Sequence, residues 1–287
     1  MGWSVTAAGT LGFDDLTTPA GRRREVPGGS ALYFSLAARH LCEVRVVAAI
    51  GPDGGPLLEI LDTAEIDRTG VALLPGETYR WRAEHHITDA APVAEEQQLG
   101  VYRDWRPRLT EVARQSGILF LGSMHPNRQM EILTQCSGAQ LVALDTMRDF
   151  VRSNPNELDQ LLHHADVFFA TEAELRALLP ESGADAIATA QQAVVYWSLR
   201  TVVLKRGARG AVVVSGDSVR KFPATPGPPV VDPTGAGDAF AGGMLGRLAQ
   251  LRRSDDQAVE RAMADGAAAA RTAISAFGAA ALLRSSR

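Results

Sequence analysis

The residues with the clearest chemical potential lie in one short stretch, VVDPTGAGDAFAGG, at positions 230–243. Its apolar start is typical of a strand or extended chain, PTGAG is typical of a turn, and the next residues predict a helix that begins near Asp238. Backbone N–H groups at the start of a helix are unpaired and carry partial positive charge, so an anion is their natural ligand. Gly235 and Gly237 would let a phosphate approach the backbone closely.

Asp238 has two interpretations. A carboxylate at this position commonly caps a helix, and that interpretation alone would explain it. Transfer of a phosphoryl group to an alcohol needs donors for the phosphoryl oxygens, a metal on the nucleotide phosphates and a carboxylate that accepts the hydroxyl proton. The stretch supplies the first and the third. Walker A and protein-kinase motifs are absent, and the dinucleotide fingerprint lacks its third glycine, which disfavours hydride transfer.

Composition restricts the class of protein. The chain has 287 residues, of which 46% are apolar and 22% charged, as in a globular protein with one large core or a core plus a small appendage. The net charge of −4 provides no basic surface for long nucleic acids, and no apolar run is long enough to span a membrane. Cys42 and Cys136 lie far apart without metal-ligand spacing, which favours a reducing cytoplasm.

The elements that must position these residues alternate along the chain. Short runs rich in Val, Ile, Leu and Phe are typical of strands buried on both faces, and the segments between them have apolar residues three and four apart, as helices do. This alternation predicts an α/β fold with a parallel sheet covered by helices on both sides. The clearest strand segments are 44–51, 117–123, 139–145, 165–171 and 201–207.

One segment has a different period. In TYRWRAE, residues 78–84, the aromatic side chains of Tyr79 and Trp81 share one face, and the other face is polar. A period of two predicts a half-exposed antiparallel strand, and residues 22–26 and 97–102 are candidates to join it in a small separate sheet. Such a sheet is either a peripheral hairpin or a lid over a site.

Four motifs together resemble a known family. DPTGAGDAFAGG, residues 232–243, resembles the C-terminal signature of the PfkB/ribokinase family of small-molecule kinases, and GGSALYFSLAARHLCEVRVVAAIGPDGG, residues 28–55, resembles its N-terminal glycine-pair motif. DVFFATEAELRALL, residues 166–179, is similar to the family's Asn-x-x-Glu segment, and VVLKRGARGAVVV, residues 202–214, to its nucleotide-side strand. The motifs occur in the family's order, and the likeness covers nearly the whole chain.

The resemblance implies a single ribokinase-like α/β domain over residues 1–287, with a mostly parallel three-layer sheet and a small β lid formed from about 14–28 and 76–104. It implies an ATP-dependent phosphotransferase that acts on a hydroxyl of a sugar or sugar-like molecule. A nucleoside kinase is the alternative, supported by Tyr33 and the aromatic lid strand. A catalytically silent relative that binds sugar as a regulator is a second alternative, against which the intact Asp238 argues.

The resemblance also implies catalytic and acceptor-binding roles for individual residues. Asp238 would be the general base, and the amides of Gly235, Ala236 and Gly237 would form an anion hole for developing negative charge. Asp14, in GTLGFDD, would bind the acceptor, because a carboxylate can accept two hydrogen bonds from sugar hydroxyls.

Gly28 and Gly29 follow the family's pattern and would allow close backbone approach and a hinge between lid and main domain. Two other positions, one on the acceptor side and one on the metal side, depart from that pattern. Tyr33 stands where many relatives have an acceptor-binding Asn, so its ring either stacks on a base or sugar or packs into the core. Thr171 replaces the Asn of Asn-x-x-Glu and cannot donate as an amide does.

The remaining implied roles concern nucleotide and cations. Lys205 and Gly207 match the loop over the nucleotide, with an exposed charge as the alternative for Lys205. Glu174 matches the glutamate that holds the Mg²⁺ shell through water, with an ordinary first-turn helix acid as the alternative. Asp232 and Thr234 match positions that bind a monovalent cation in many relatives. The implied cofactors are therefore ATP, Mg²⁺ and K⁺.

The implied partner is a small sugar, polyol or nucleoside acceptor, whereas long nucleic acids and membranes are not expected. Family members often pair through their lids, so the resemblance implies a homodimer in which the aromatic face of Tyr79 and Trp81 meets the second subunit.

Overall fold

Two sheets and eleven helices make up the part of the chain that the structure describes. The structure, a computed structural model, describes residues 3–86, 92, 94–180 and 185–285. The strands are β1 (Val5–Ala8), β2 (Gly12–Thr18), β3 (Gly21–Gly28), β4 (Val44–Ile50), β5 (Asp67–Leu73), β6 (Tyr79–Glu84), β7 (Ala94–Gln98), β8 (Ile118–Leu121), β9 (Leu141–Asp145), β10 (Val167–Thr171), β11 (Thr201–Lys205), β12 (Ala211–Ser215) and β13 (Ser218–Phe222).

The helices connect these strands and cover the larger sheet. Within the described ranges, none of them is both long enough and apolar enough to cross a bilayer. They are α1 (Ser30–Ala38), α2 (Gly55–Thr63), α3 (Glu111–Arg114), α4 (Pro126–Leu133), α5 (Arg148–Ser153), α6 (Pro155–Leu162), α7 (Glu172–Leu178), α8 (Ala186–Tyr196), α9 (Ala236–Leu251), α10 (Asp256–Ala273) and α11 (Ala280–Arg284).

The larger sheet has nine strands in the order β13-β12-β11-β10-β9-β8-β1-β4-β5. The strands from β11 to β5 pair in parallel, while β12 and β13 are antiparallel additions at one edge. Because the carboxyl ends of parallel strands meet at one edge, the last side chains of β9, β10 and β11 collect there. The predicted parallel α/β sheet is confirmed.

The core lies on both faces of this sheet, as the apolar strand sequences require. Successive residues of β4 alternate between two buried clusters: Val46 and Ala48 belong to the cluster that includes α1, α9 and α10, and Val47 and Ala49 to the opposite one. All seven residues of β4 are buried. A strand covered on both faces has no solvent-facing side, which explains the apolar run from Val46 to Ile50.

The smaller sheet has the order β3-β2-β6-β7 and uses residues from both segments assigned above to a lid, although it begins at Gly12 rather than at 14. The predicted antiparallel strand β6 does pair antiparallel with β7, but its other neighbour, β2, is parallel to it. The reason is topological, because the chain passes through the larger sheet between β2 and β6. Residues 87–91 and 93 of the 76–104 segment lie outside the described residues.

Two details of the smaller sheet differ from the sequence prediction. The strand expected near residues 97–102 is β7, which ends at Gln98, and a 3-10 turn follows over Gly100–Arg103. The aromatic face points inward rather than toward solvent, since Tyr79 is only 6% exposed and packs edge-on against Tyr102 with ring centroids 5.9 Å apart. Tyr79 is therefore unavailable to a second subunit.

Replacement of Phe34 by alanine tests the packing of α1 on the sheet. Phe34 is fully buried and stacks on Phe120 of β8 at 4.1 Å between ring centroids. Phe34→Ala removes this stack and leaves a cavity, so we expect the free energy of unfolding in urea to fall by about 3–5 kcal/mol. Val195→Ala is the control, because Val195 is 79% exposed and should change that free energy by less than about 0.5 kcal/mol. Equal effects of the two substitutions would contradict the packing.

Candidate active site

The candidate site lies where α9 begins, at the carboxyl edge of the larger sheet. The helix begins at Ala236, two residues before the predicted start, and Gly235 is its N-cap with φ 71°. A residue with a side chain would be strained at that φ, and a Cβ would also overlap the ring of Tyr33. Asp238 is thus placed in the first turn of the helix, beside its unpaired amides.

Two of the three amides predicted to form an anion hole are available. Gly235 and Gly237 donate none of the backbone hydrogen bonds found among the described residues. Ala236 donates to the carbonyl of Pro233 at 3.3 Å, closing a turn, so the prediction that its amide is unpaired is wrong. The two glycine amides remain as hydrogen-bond donors to an anion, and the helix dipole adds partial positive charge there.

Asp238 is half-buried, so its carboxylate is not sealed away from the cleft. Burial and the negative charge of Asp145 raise the pKa of Asp238 to about 7, against the opposing charge of Lys205. A carboxylate whose pKa lies near neutrality is well matched to accepting a proton from an alcohol. The position and protonation behaviour of Asp238 are those required of a general base.

Sequence reasoning missed Asp145, which forms a buried ion pair at this site. Lys205 Nζ donates to both oxygens of Asp145, at 2.9 and 2.6 Å. Asp145 and Lys205 are the last residues of β9 and β11, the two strands that flank β10. The sequence signal for this pair was a charged residue directly after the apolar run of each strand. Only the strand order, however, shows that the two strand ends lie close together. The alternative of an exposed charge for Lys205 is wrong, because its side chain is 17% exposed.

Asp14 and Gly28, which are predicted to bind the acceptor, lie in direct contact with each other. Asp14 is 2% exposed, and its Oδ2 has no hydrogen-bond partner within the described part of the chain. Burial and the nearby charges of Asp232 and Asp238 raise the pKa of Asp14 well above its usual value. A Cβ on Gly28 would overlap that same oxygen, so the small residue is needed for Asp14 to lie here. Gly29 is the N-cap of α1 and has φ 101°.

Tyr33 packs into the core, one of the two alternatives that its sequence left open. The side chain is 1% exposed, and its ring lies against Gly235. Its hydroxyl, however, has no hydrogen-bond partner among the described residues. Burial and the charge of Asp14 raise the pKa of Tyr33 well above its usual value, so the hydroxyl stays protonated and can donate. Tyr33 therefore packs against the turn at Gly235 and keeps a buried hydroxyl without a partner among the described residues.

Glu174 lies in the first turn of α7, the arrangement expected of an ordinary helix acid. Thr171 and Glu174 form a capping box: Thr171 N–H donates to Glu174 Oε2 at 2.7 Å, and Glu174 N–H donates to Thr171 Oγ1 at 3.2 Å. The other carboxylate oxygen of Glu174 takes no part in the capping box. Burial raises the pKa of Glu174, against the attraction of Lys205. Glu174 is thus placed near the ion pair as well as in a cap.

The residues with predicted cation and nucleotide roles lie at the two ends of the site. Asp232 is fully buried and braces the loop before α9, because it accepts the amides of Thr234 at 3.0 Å and Gly278 at 2.9 Å. The Thr234 hydroxyl has no hydrogen-bond partner within the described ranges. Gly207 is exposed at the start of the 3-10 turn that follows β11, with φ 56°.

A cavity of about 570 Å³ lies at the same edge of the larger sheet. It lies between the carboxyl ends of β1, β8 and β9 and the inner face of the smaller sheet, where ligands of α/β folds bind. A wider groove of about 900 Å³ lies at the opposite, amino ends of β4 and β5. The residues lining the 570 Å³ cavity include Thr10, Tyr79, Gln97, Ser123, Met124, His125, Met147 and Phe150.

Known kinases resemble this chain in sequence. A family model described as pfkB family carbohydrate kinase matches residues 110–285. A cytidine kinase from Thermococcus kodakarensis is 30% identical over 251 residues, which cover 84% of this chain and 87% of that protein. The chain belongs to the PfkB family of carbohydrate kinases. Membership of the PfkB family makes it a phosphotransferase of the sugar or nucleoside kinase group, as the motifs predicted.

Solved structures of PfkB-type kinases have the same fold. The nucleoside kinase of Methanocaldococcus jannaschii, a member of the ribokinase family, superposes with a TM-score of 0.76 at 18% identity, covering 96% of this chain and 93% of that one. The fructokinase of Vibrio cholerae O395, solved with fructose, ADP and a calcium ion, superposes with a TM-score of 0.78 at 23% identity, covering 98% and 95%. The predicted ribokinase-like fold is confirmed.

Asp238→Asn tests whether the carboxylate acts as a base. Gly235 rather than Asp238 is the N-cap of α9, and no side chain caps that helix, so the capping interpretation of Asp238 is wrong. Asparagine has nearly the same size but cannot accept a proton at neutral pH, so we expect kcat to fall by about 10²–10⁴-fold while circular dichroism shows a folded protein. Asp255→Asn, at the N-cap of α10, is the matched control and should keep full activity. If Asp238→Asn retained wild-type kcat, Asp238 would not be the general base.

The pH profile of kcat/KM provides a second test of Asp238. The base works only when unprotonated, so activity should be lost as the pH falls through the pKa of about 7. Well below that value we expect roughly a tenfold loss per pH unit. The measurement is kcat/KM across neutral and mildly acidic pH, with circular dichroism to show that the fold persists. A flat profile would contradict a base with a near-neutral pKa.

Proposed function

We propose that this PfkB kinase transfers the γ-phosphoryl group of ATP to a sugar hydroxyl of a nucleoside, with Asp238 as general base. The observation that carries the proposal is the partly exposed Asp238 beside the unpaired amides of Gly235 and Gly237. Asp238 takes the hydroxyl proton while the hydroxyl oxygen forms a bond to the γ-phosphorus. The bond from that phosphorus to the β–γ bridging oxygen breaks, and its electron pair leaves with ADP.

Unpartnered polar groups support a polyhydroxyl acceptor. Asp14 Oδ2, Tyr33 Oη and Trp81 Nε1 are buried without hydrogen-bond partners among the described residues. Such groups cost free energy unless a ligand satisfies them. One acceptor of hydrogen bonds and two donors suit a sugar, whose hydroxyls both donate and accept. Asp14 would therefore bind the hydroxyls next to the one that reacts.

The shape of the cleft supports a nucleoside rather than a free sugar. Three paired residues form a row about 10 Å long across neighbouring strands. They are Asp14 on β2, Trp81 on β6 and Gln97 on β7. Gln97 lines the 570 Å³ cavity, whose walls include Met124 and Phe150. A ribose at Asp14 would leave this cavity for a base. The walls of the cavity combine apolar side chains with the charged Arg103, Arg106, Arg128 and Glu131. The cytidine kinase similar to this chain acts on such a compound.

We propose that the nucleotide lies between the anion hole and Gly207, with Lys205 toward its phosphates. The structure has no cluster of three or more His, Cys, Asp or Glu side chains that could hold a metal among the described residues. This fits a Mg²⁺ carried by the nucleotide, which keeps most of its water and needs one carboxylate, here Glu174. When bound, Mg²⁺ would neutralise part of the phosphate charge.

Three further parts of the proposal concern a monovalent cation, the oligomeric state and the location. A K⁺ ion near Asp232 and Thr234 is supported by the full burial of the Asp232 carboxylate and by the buried Thr234 hydroxyl, which has no hydrogen-bond partner among the described residues. A homodimer through the smaller sheet would use the outer face of that sheet, because Tyr79 on the inner face is buried. A cytoplasmic location is supported by two free cysteines.

An acceptor panel tests the nucleoside proposal. ADP release should depend on a nucleoside, be weak with ribose or fructose, and be absent without an acceptor. Gln97→Ala removes the far end of the row, so it should raise KM for the nucleoside at least about tenfold and leave turnover of a free sugar unchanged. Faster turnover of free sugars would identify a sugar kinase. Ligand-induced thermal stabilisation without any turnover would identify a silent binding protein.

A further inference from the structure

The ion pair between Lys205 and Asp145 directly adjoins the anion hole. A Cβ built on Gly237 would lie 3.1 Å from Lys205 Nζ and 3.8 Å from Asp145 Oδ2. The ammonium therefore lies next to Gly237, whose amide is one of the two free donors. Lys205 and Asp145 side chains are 17% and 4% exposed, so the pair lies inside the protein, with a narrow opening on the Lys205 side.

Structural stabilisation does not explain the pair well. Strands β9 and β11 are each already hydrogen-bonded to β10, so no ion pair is needed to join them. Removing two charges from water costs about as much as their attraction returns, and apolar residues of similar volume would often stabilise the fold more. A buried pair at a phosphate-binding site is better explained by what it does to a ligand.

The hydrogen bonds of Lys205 leave it able to bind an anion. An ammonium has three N–H groups, and two of them account for the bonds to Asp145 Oδ1 and Oδ2. The third is left for a ligand beside Gly237. Burial by itself would lower the pKa of Lys205, but the charges of Asp145 and Glu174 raise it above its ordinary value. Lys205 thus keeps its positive charge in a buried site.

We propose that Lys205 contacts the phosphoryl group during its transfer and that Asp145 is the positioning residue that holds the ammonium in place. This inference rests on the proposed phosphoryl transfer and adds a charged donor to the two amides. Negative charge builds on the phosphoryl oxygens as the bond to the leaving oxygen breaks. A fixed cation there stabilises the transition state more than the ground state, because it needs no rearrangement.

The first experiment measures steady-state kinetics of Lys205 variants. Lys205→Met should lower kcat by about 10²–10³-fold and change the acceptor KM less than about threefold. Lys205→Arg keeps the positive charge, so its kcat should be at least about tenfold higher than that of Lys205→Met. Arg247→Met is the matched control, since it removes the cation of a distant pair with Asp265 at 2.7 Å, and should keep kcat. A wild-type kcat in Lys205→Met would overturn the proposal.

A double variant separates catalysis from folding. Lys205→Met alone leaves Asp145 as an unpaired buried charge, which can unfold a protein. Lys205→Met with Asp145→Asn removes both charges and should fold, yet its kcat should stay as low as that of Lys205→Met. Asp145→Asn alone should lower kcat about tenfold or more, because the ammonium loses its anchor. If the folded double variant recovered wild-type kcat, the pair would be structural.

A binding experiment distinguishes failure of this inference from failure of the proposed function. ADP with Mg²⁺ and aluminium fluoride imitates the transferred phosphoryl group and should raise the wild-type melting temperature beyond ADP with Mg²⁺ alone. That extra rise should vanish in Lys205→Met and in the double variant but persist in Arg247→Met. An equal rise in Lys205→Met refutes only the role of Lys205. No turnover and no nucleotide response in the wild-type protein refutes the proposed function and this inference with it.

Discussion

At Gly235 the chain turns with a φ of 71°, and Asp238 and the free amides of the proposed site take their positions from that turn. The ring of Tyr33 fills the space that a side chain would need there. Asp232 braces the same loop by accepting the amides of Thr234 and Gly278. Because α9 starts here, its free amides and Asp238 are directed together into the cleft.

Charge is the second constraint, since the site gathers acids where an anionic nucleotide must bind. Carboxylates crowded away from water raise one another's pKa values, and phosphate oxygens would add to the repulsion. The positive end of α9, the ammonium of Lys205 and a nucleotide-borne Mg²⁺ would offset it. An arrangement that costs stability in the free protein is typical of a site selected for its ligand. The acids whose pKa values are raised are Asp14, Asp145, Glu174 and Asp238.

Much of the fold and part of the site could be predicted from particular residues. The apolar runs of β4, β8 and β10 predicted a buried parallel sheet. The glycines around Asp238 predicted a helix start with free amides. The amide of Ala236 was assigned wrongly, because a turn bond to Pro233 depends on local geometry that sequence does not specify. The inward direction of Tyr79 was also missed, since alternation shows that two faces differ but not which one meets the core.

The sequence by itself determined what depends on near neighbours along the chain: the strand and helix periods, the helix start near Asp238 and the motifs of the PfkB family. Only the tertiary structure decided which distant residues meet. Asp145 and Lys205 are 60 positions apart, and their contact exists because strand order places β9 and β11 on either side of β10. The packing of Tyr33 on Gly235 likewise requires α1 to lie against α9. Such contacts follow from how whole elements pack, a global property that no local stretch of residues contains.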